Sequence, residues 1–258
     1  MTLSENTVNI LMKVIGDNMK KFIVNKEFWD LFPDSAIGIL VLENVKENIE
    51  IGESEALEIK NILDSANKEA KKYLTSDVIS ENEVVKVWRE AYQKFPTKKG
   101  VRCSLENLLK RILHDNPVGT IFPSVDITNA ISLKYALPIG AEDRDKLDGD
   151  IHLGAMKGGE KFLPIGSDKE EPPYEGEIAY YDNYGAVCRC LNWRDGKRTQ
   201  IDDNTTSEFI VMECVDSSRI EDLNKAISEL EELMIKYLGA KTFNKQIITK
   251  DNPSMDIE

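Results

Sequence analysis

No run of apolar residues in this 258-residue chain could cross a bilayer. The longest, Ala36 to Leu42, falls far short of the roughly 20 residues a spanning helix needs. The N-terminus lacks the basic-then-apolar order of a secretion signal, so a cytoplasmic protein is expected. Histidine is nearly missing: His114 and His152 are the only two. Cysteine is confined to Cys103, Cys188, Cys190 and Cys214, whose spacing makes neither a disulfide framework nor a zinc site. Free thiols, no metal and no cofactor are therefore expected. Positive charge is also short, with 33 Lys and Arg against 46 Asp and Glu, a formal net charge of −13. That balance opposes nonspecific binding to nucleic acid.

What is present is an ordinary globular composition, 41% hydrophobic and 31% charged, in a chain long enough to bury a large core. The basic residues are clustered. Lys98, Lys99, Arg102, Lys110 and Arg111 face one acid, Glu106, and Arg189, Arg194, Lys197 and Arg198 face one, Asp195. Such segments read either as a local phosphate-holding face or as two ordinary solvated surfaces.

Hydrophobic periodicity outlines the fold. Residues 1 to about 20 read as irregular or weakly helical. Lys21 to Val24 and Ala36 to Val45 read as strands, the second apolar on both faces and hence central. A helix is predicted from Ser54 to Leu74 with Leu57, Ile62, Ala66, Ala70 and Tyr73 inward, and Ser80 and Ser104 are placed to cap two more. Asp126 to Leu137 reads as a helix that Pro138 ends. Short strands and turns follow to Val215, with Asp195-Gly196 as a hairpin signal and Ser167 to Gly176 as an exposed loop. From Ile220, apolar residues three and four apart predict a helix ended by Gly239. Ala240 to Thr249 reads as a last strand, and 251–258 as a loose tail. The expectation is an α+β fold, a mixed sheet flanked by helices, forming a single domain over residues 1–250.

Two places carry candidate chemistry. In the strand around Glu208 to Asp216, alternation sets Phe209, Val211, Glu213 and Val215 on one face. A carboxylate there is costly without a partner. Either an arginine meets Glu213, or Glu213 faces a cavity and receives a ligand's ammonium group. Thr128 and Asn129, at the start of a helix, either cap it or face a pocket; Asp126 is the better cap.

The stretch Val125-Asp-Ile-Thr-Asn129, with Pro138, Ala141, Asp143 and Asp145 to Leu147, resembles the B3/B4 domain of the phenylalanyl-tRNA synthetase β subunit, its tRNA-binding and editing domain. The best match runs from about Arg102 to Asp216. The resemblance implies an amino-acid pocket lined by Thr128, Asn129, Thr206 and Glu213, with Asn129 and Glu213 catalytic. Gly140 stands where the family carries a histidine. Cys188-Arg-Cys-Leu-Asn-Trp193 replaces a Gly-rich turn, and there Arg189 and Trp193 either contact a terminal adenosine or make an ion pair and a packing contact. Lys98, Lys99 and Arg102 would hold the acceptor end.

Two functions follow as expectations: a free-standing aminoacyl-tRNA deacylase that edits mischarged tRNA in trans, or a module that binds tRNA ends or amino acids without hydrolysis. The expected partner is the tRNA acceptor end or an aminoacyl-tRNA.

Overall fold

The computed structural model describes residues 19–47 and 51–258, so most of the expectation for the first 20 residues lies outside the described residues. The most apolar strands sit at the centre. Strand β2 (Ala36–Glu43) pairs antiparallel along its whole length with β8 (Ser207–Cys214), from Ala36 opposite Cys214 to Glu43 opposite Ser207. Outside them lie β3 (Ile139–Asp143) and β9 (Lys241–Ile248), giving a four-stranded sheet in the order β3-β8-β2-β9. A second, six-stranded sheet runs in the order β10-β1-β4-β5-β6-β7. Its members are β1 (Lys21–Val24), β4 (Ile151–Ala155), β5 (Ile178–Tyr181), β6 (Ala186–Arg189), β7 (Arg194–Asp195) and β10 (Ser254–Asp256).

The period-two alternation of the central strands decides what fills each side. Ile37, Ile39, Val41, Phe209 and Val211 face the six-stranded sheet and share a core with Phe22, Ile151, Leu153 and Tyr180. The Phe22 ring lies 5.3 Å from Phe209 and 6.1 Å from Tyr180, so aromatic contacts span the two sheets. The opposite face, Leu40, Leu42, Ile210, Met212 and Cys214, packs beneath two helices, Pro123–Tyr135 and Ile220–Leu238. The apolar stripe predicted for the second of these is buried as expected through Leu223, Ile227, Leu230 and Met234. Gly239 ends it in the left-handed conformation, at φ 64°.

Other expectations shift. The helix Glu53–Glu69 buries Ile59, Leu63, Ala66 and Asn67 and leaves Leu57 58% exposed, so its inner face is rotated from the predicted one. Asn82 and Cys103, rather than Ser80 and Ser104, precede the helices Glu83–Ala91 and Ser104–Leu113. The hairpin turn falls at Cys190 to Trp193, between β6 and β7, and not at Asp195-Gly196. Cys190 and Leu191 hold left-handed backbone there, φ 47° and 59°, a conformation that favours glycine.

The expected loose tail is instead part of the sheet. Residues Ser254 to Asp256 pair with β1, and Met255 and Ile257 are 5% and 0% exposed. Two buried side chains at about 1.5–3 kcal/mol each predict a loss of roughly 3–6 kcal/mol on deleting residues 252–258. Urea unfolding measures it; an unchanged midpoint would contradict the pairing.

Candidate functional site

Glu213 points from β8 into the space between the sheets, 1% exposed, on the face that alternation predicts. Among the described residues, no arginine meets it. Tyr180 on β5 donates its hydroxyl to Oε1 at 2.8 Å, and Asn192 donates its amide to Oε2 at 3.2 Å. Burial pushes the Glu213 carboxyl up to about 7, against the two hydrogen bonds that favour its charge. Tyr92, in turn, donates its hydroxyl to Asn192 Oδ1 at 2.9 Å. A buried chain of polar groups thus runs Tyr92–Asn192–Glu213–Tyr180. Its members stand 21 to 100 residues apart at each link, so no sequence window contains it.

Glu213 lines a small cavity of about 10 Å³, together with Gly140, Glu142, Cys188 and Asp195. That is room for about one water molecule. Burial also raises the carboxyl groups of Glu142 and Asp195. Three carboxyl groups therefore border a small space in which no cation forms an ion pair with any of them among the described residues. A Cβ on Gly140 would meet Val211 at 3.4 Å, an ordinary contact, so a side chain at this position would begin at the cavity wall.

On the other side of Tyr92 lies an open cleft of about 250 Å³, lined by Arg89, Lys98, Lys99 and Arg102. Glu106 pairs with Arg89 and Arg102, and Glu171 pairs with Lys98, which leaves Lys99 exposed and unpaired among the described residues. The arrangement is a basic surface cleft separated by one tyrosine and one asparagine from an acidic interior cavity.

The sequence model of the B3/4 domain matches residues 87–237, more than half of the chain and all of the elements just described around Glu213. The chain belongs to the B3/4 domain family. A curated relative, the phenylalanine–tRNA ligase β subunit of Fusobacterium nucleatum subsp. nucleatum, is 34% identical over 96 residues. That match covers 37% of this chain and 11% of the subunit, so this B3/4 domain chain corresponds to a small part of the relative's length. Among solved structures, an N-terminal fragment of the phenylalanyl-tRNA synthetase β subunit from Pyrococcus horikoshii aligns with a TM-score of 0.48 at 12% identity, over 88% of this chain and 53% of that one.

Within the B3/4 domain, the expected site residues do not all gather at Glu213. Gly140 lines its cavity; Thr128, Asn129 and Thr206 do not. Thr128 is buried and donates its hydroxyl to Val125 O at 2.9 Å within its own helix. Asn129 is half-buried and its amide makes no hydrogen bond among the described residues. Thr206 is exposed just before β8, seven residues from Glu213, roughly 24 Å along an extended strand. Asp126 accepts the Ile121 N–H at 2.8 Å and so braces the chain entering the helix that begins at Pro123.

Arg189 makes the ion pair, the second of its two expected roles, and not the contact with a terminal adenosine or an acceptor end. Only 1% exposed, it cannot present charge to a nucleic acid. Its guanidinium meets Glu177 in a two-pronged pair, Nε to Oε1 at 2.8 Å and Nη2 to Oε2 at 2.6 Å, and Oε1 also accepts the Cys190 N–H at 3.1 Å. The pair anchors the turn that carries Asn192. Trp193 is half-buried, its ring 5.5 Å from the Arg189 guanidinium and 5.9 Å from that of Arg194. All four cysteines are buried free thiols, and His152 packs on Tyr181 with its Nδ1 3.2 Å from Asn25. Among the described residues, no group of His, Cys, Asp and Glu is arranged to hold a metal, and no helix is long and apolar enough to cross a membrane.

Sequence reasoning missed Tyr180, Asn192 and Tyr92. It also missed a second buried acidic group. Glu208 and Glu47 sit beside Ser124 at the start of the helix Pro123–Tyr135, with burial raising Glu208 and pushing Glu47 up to about 7.

Proposed function

We propose that this domain binds the aminoacylated 3′ end of a tRNA, with Glu213 receiving the α-ammonium group of the amino acid. The observation that carries this reading is the pairing of a cation-free acidic cavity with a basic cleft across Tyr92. An aminoacyl-tRNA end has the matching polarity: a cationic ammonium group, then an ester, then anionic phosphates. A carboxyl group held near neutrality by burial ionises when an ammonium group arrives, because the partner's charge replaces lost solvation. Lys98, Lys99 and Arg102 hold phosphates. The relationship to a phenylalanine–tRNA ligase β subunit supports a tRNA-related role.

The finer reading is hydrolysis of the ester, editing in trans. Water attacks the ester carbonyl, the acyl C–O bond breaks, and the ribose hydroxyl leaves with a proton. Asn129 stands outside the Glu213 cavity, but its amide is uncommitted and donates to the developing oxyanion once the aminoacyl group has opened that cavity. Because the cavity holds about one water, an aminoacyl group enters only when Tyr92 and the Cys190 to Trp193 turn move apart. A second reading, binding without hydrolysis, is favoured by Gly140, which supplies no side chain to activate that water.

Deacylation of a panel of correctly and wrongly charged tRNAs, beginning with tyrosine on phenylalanine tRNA, separates the two. The expected result is hydrolysis of a mischarged tRNA that Asn129→Ala slows about 100-fold and Glu213→Gln abolishes. Hydrolysis untouched by both variants sinks the site assignment. No hydrolysis, with tRNA affinity that falls steeply with salt, establishes the binding module.

A further inference from the structure

We infer that the tip of the β5–β6 hairpin is a second nucleotide-binding site, in which Tyr184 stacks on a base while Lys161 and Lys197 take the flanking phosphates. Tyr184 is 51% exposed, so its ring is open to a ligand. It borders a cleft of about 300 Å³ whose lining includes Lys161, Lys197 and Arg198. The cleft involves none of the residues around Glu213.

The ring is held in place before any ligand arrives. Asp182 accepts the backbone N–H groups of Tyr184 and Gly185 at 3.0 and 3.3 Å, which fixes the turn. The same buried carboxylate receives the Arg198 guanidinium at 2.7 and 2.8 Å, and Arg198 also donates to Lys146 O. Arg198 so restrained lies 4.8 Å from the Tyr184 centroid. It enriches one side of the platform with charge that cannot swing away.

Lys161 differs. Its ammonium lies 4.9 Å from the same ring, yet the residue is exposed and has no carboxylate partner among the described residues. Lys197 is likewise exposed and unpaired among them. Lys161, Lys197 and Arg198 line the cleft against a single carboxylate, Glu170, a local excess of cations in a chain with 46 acids against 33 bases. Lys161 can leave the ring for a phosphate and open the ring face to a base. Stacking of this kind tolerates any base, and the cations follow the backbone, so the ligand class is a single-stranded nucleotide segment.

This proposal rests on the tRNA reading for the origin of that segment; the same chemistry would also take a free nucleotide. The test is fluorescence anisotropy with a short labelled single-stranded RNA, and calorimetry with AMP, on the full chain. Tyr184→Ala should weaken RNA binding about tenfold, and Tyr184→Phe, which keeps the ring, should restore it. Lys161→Ala with Lys197→Ala should lower the slope of log affinity against log salt by about 1.4, two phosphate contacts at roughly 0.7 each. RNA binding unchanged in these variants but weakened by Lys99→Ala with Arg102→Ala overturns this site and leaves the tRNA reading standing. AMP binding that needs Tyr184, without RNA binding, supports the site with a free nucleotide as its ligand and sinks the tRNA reading. Binding of neither probe overturns both.

Discussion

Arg189→Ala should destabilise the protein by about 3–5 kcal/mol, a large part of the stability of a typical domain. The side chain is buried, and its removal leaves the Glu177 carboxylate at 0% exposure without its cation. Glu177 would retain the N–H groups of Cys190 and Tyr174 at 3.1 Å each, too little to replace a two-pronged guanidinium. The left-handed turn at Cys190 and Leu191 depends on the same carboxylate, so the change should also loosen Asn192 and through it Glu213. Replacing both partners, Arg189→Met with Glu177→Leu, should recover much of the loss, because the cost lies in the orphaned charge. Urea unfolding of the two variants measures this. A surface contact with nucleic acid would behave differently: Arg189→Ala would shift stability by less than about 1 kcal/mol, and that result would refute the buried keystone.

Glu213→Gln should make the protein more stable at neutral and higher pH, although it alters a buried core residue. The Glu213 carboxyl is raised from 4.5 to about 7 in the folded protein. Between those values the native state keeps a proton that the unfolded chain has released, so stability falls as pH rises through this window. Below pH 4.5 both states are protonated and the residue contributes no pH dependence. Above about 7 both are ionised, and the folded state bears a penalty of about 3 kcal/mol at 1.36 kcal/mol per pH unit. Glutamine has no proton to lose and can still meet Tyr180 and Asn192. The difference between variant and native protein should therefore grow from pH 4.5 to 7 and then level off. Unfolding midpoints at several pH values measure it. A constant difference would mean that Glu213 is already charged in the folded state and has a cationic partner.

The two predictions draw on opposite solutions to the same problem. Arg189 and Glu177 neutralise each other in place. Glu213 has only a phenol and an amide, and so keeps its proton until about neutrality. A binding group benefits from the second arrangement, since an incoming ammonium group finds a carboxyl with no competing cation.

The sequence by itself determined what depends on near neighbours. Alternation along Ser207–Cys214 put Phe209, Val211 and Glu213 on one face, because a strand's side chains change sides at every residue. Three-and-four spacing found the buried stripe from Leu223 to Met234, and Gly239 marked its end. The motif beginning at Val125 pointed to the B3/4 family that residues 87–237 match.

Only the tertiary structure decided the rest. The helix Glu53–Glu69 offers two apolar phasings, and the choice fell to Asn67, which holds both the N–H and the carbonyl of Val118, 51 residues away. Asp195-Gly196 has the local chemistry of a turn, but the distant Glu177 fixes the reversal at Cys190. Met255 and Ile257 are a short apolar pair in a polar tail until β1 offers an edge to them. The two partners of Glu213, Tyr180 on β5 and Asn192 in the turn after β6, lie 33 and 21 residues away, and its neighbours in sequence contain no trace of them. Local spacing fixes which way a side chain points; what it meets there depends on surfaces brought together only when the sheets close over the core.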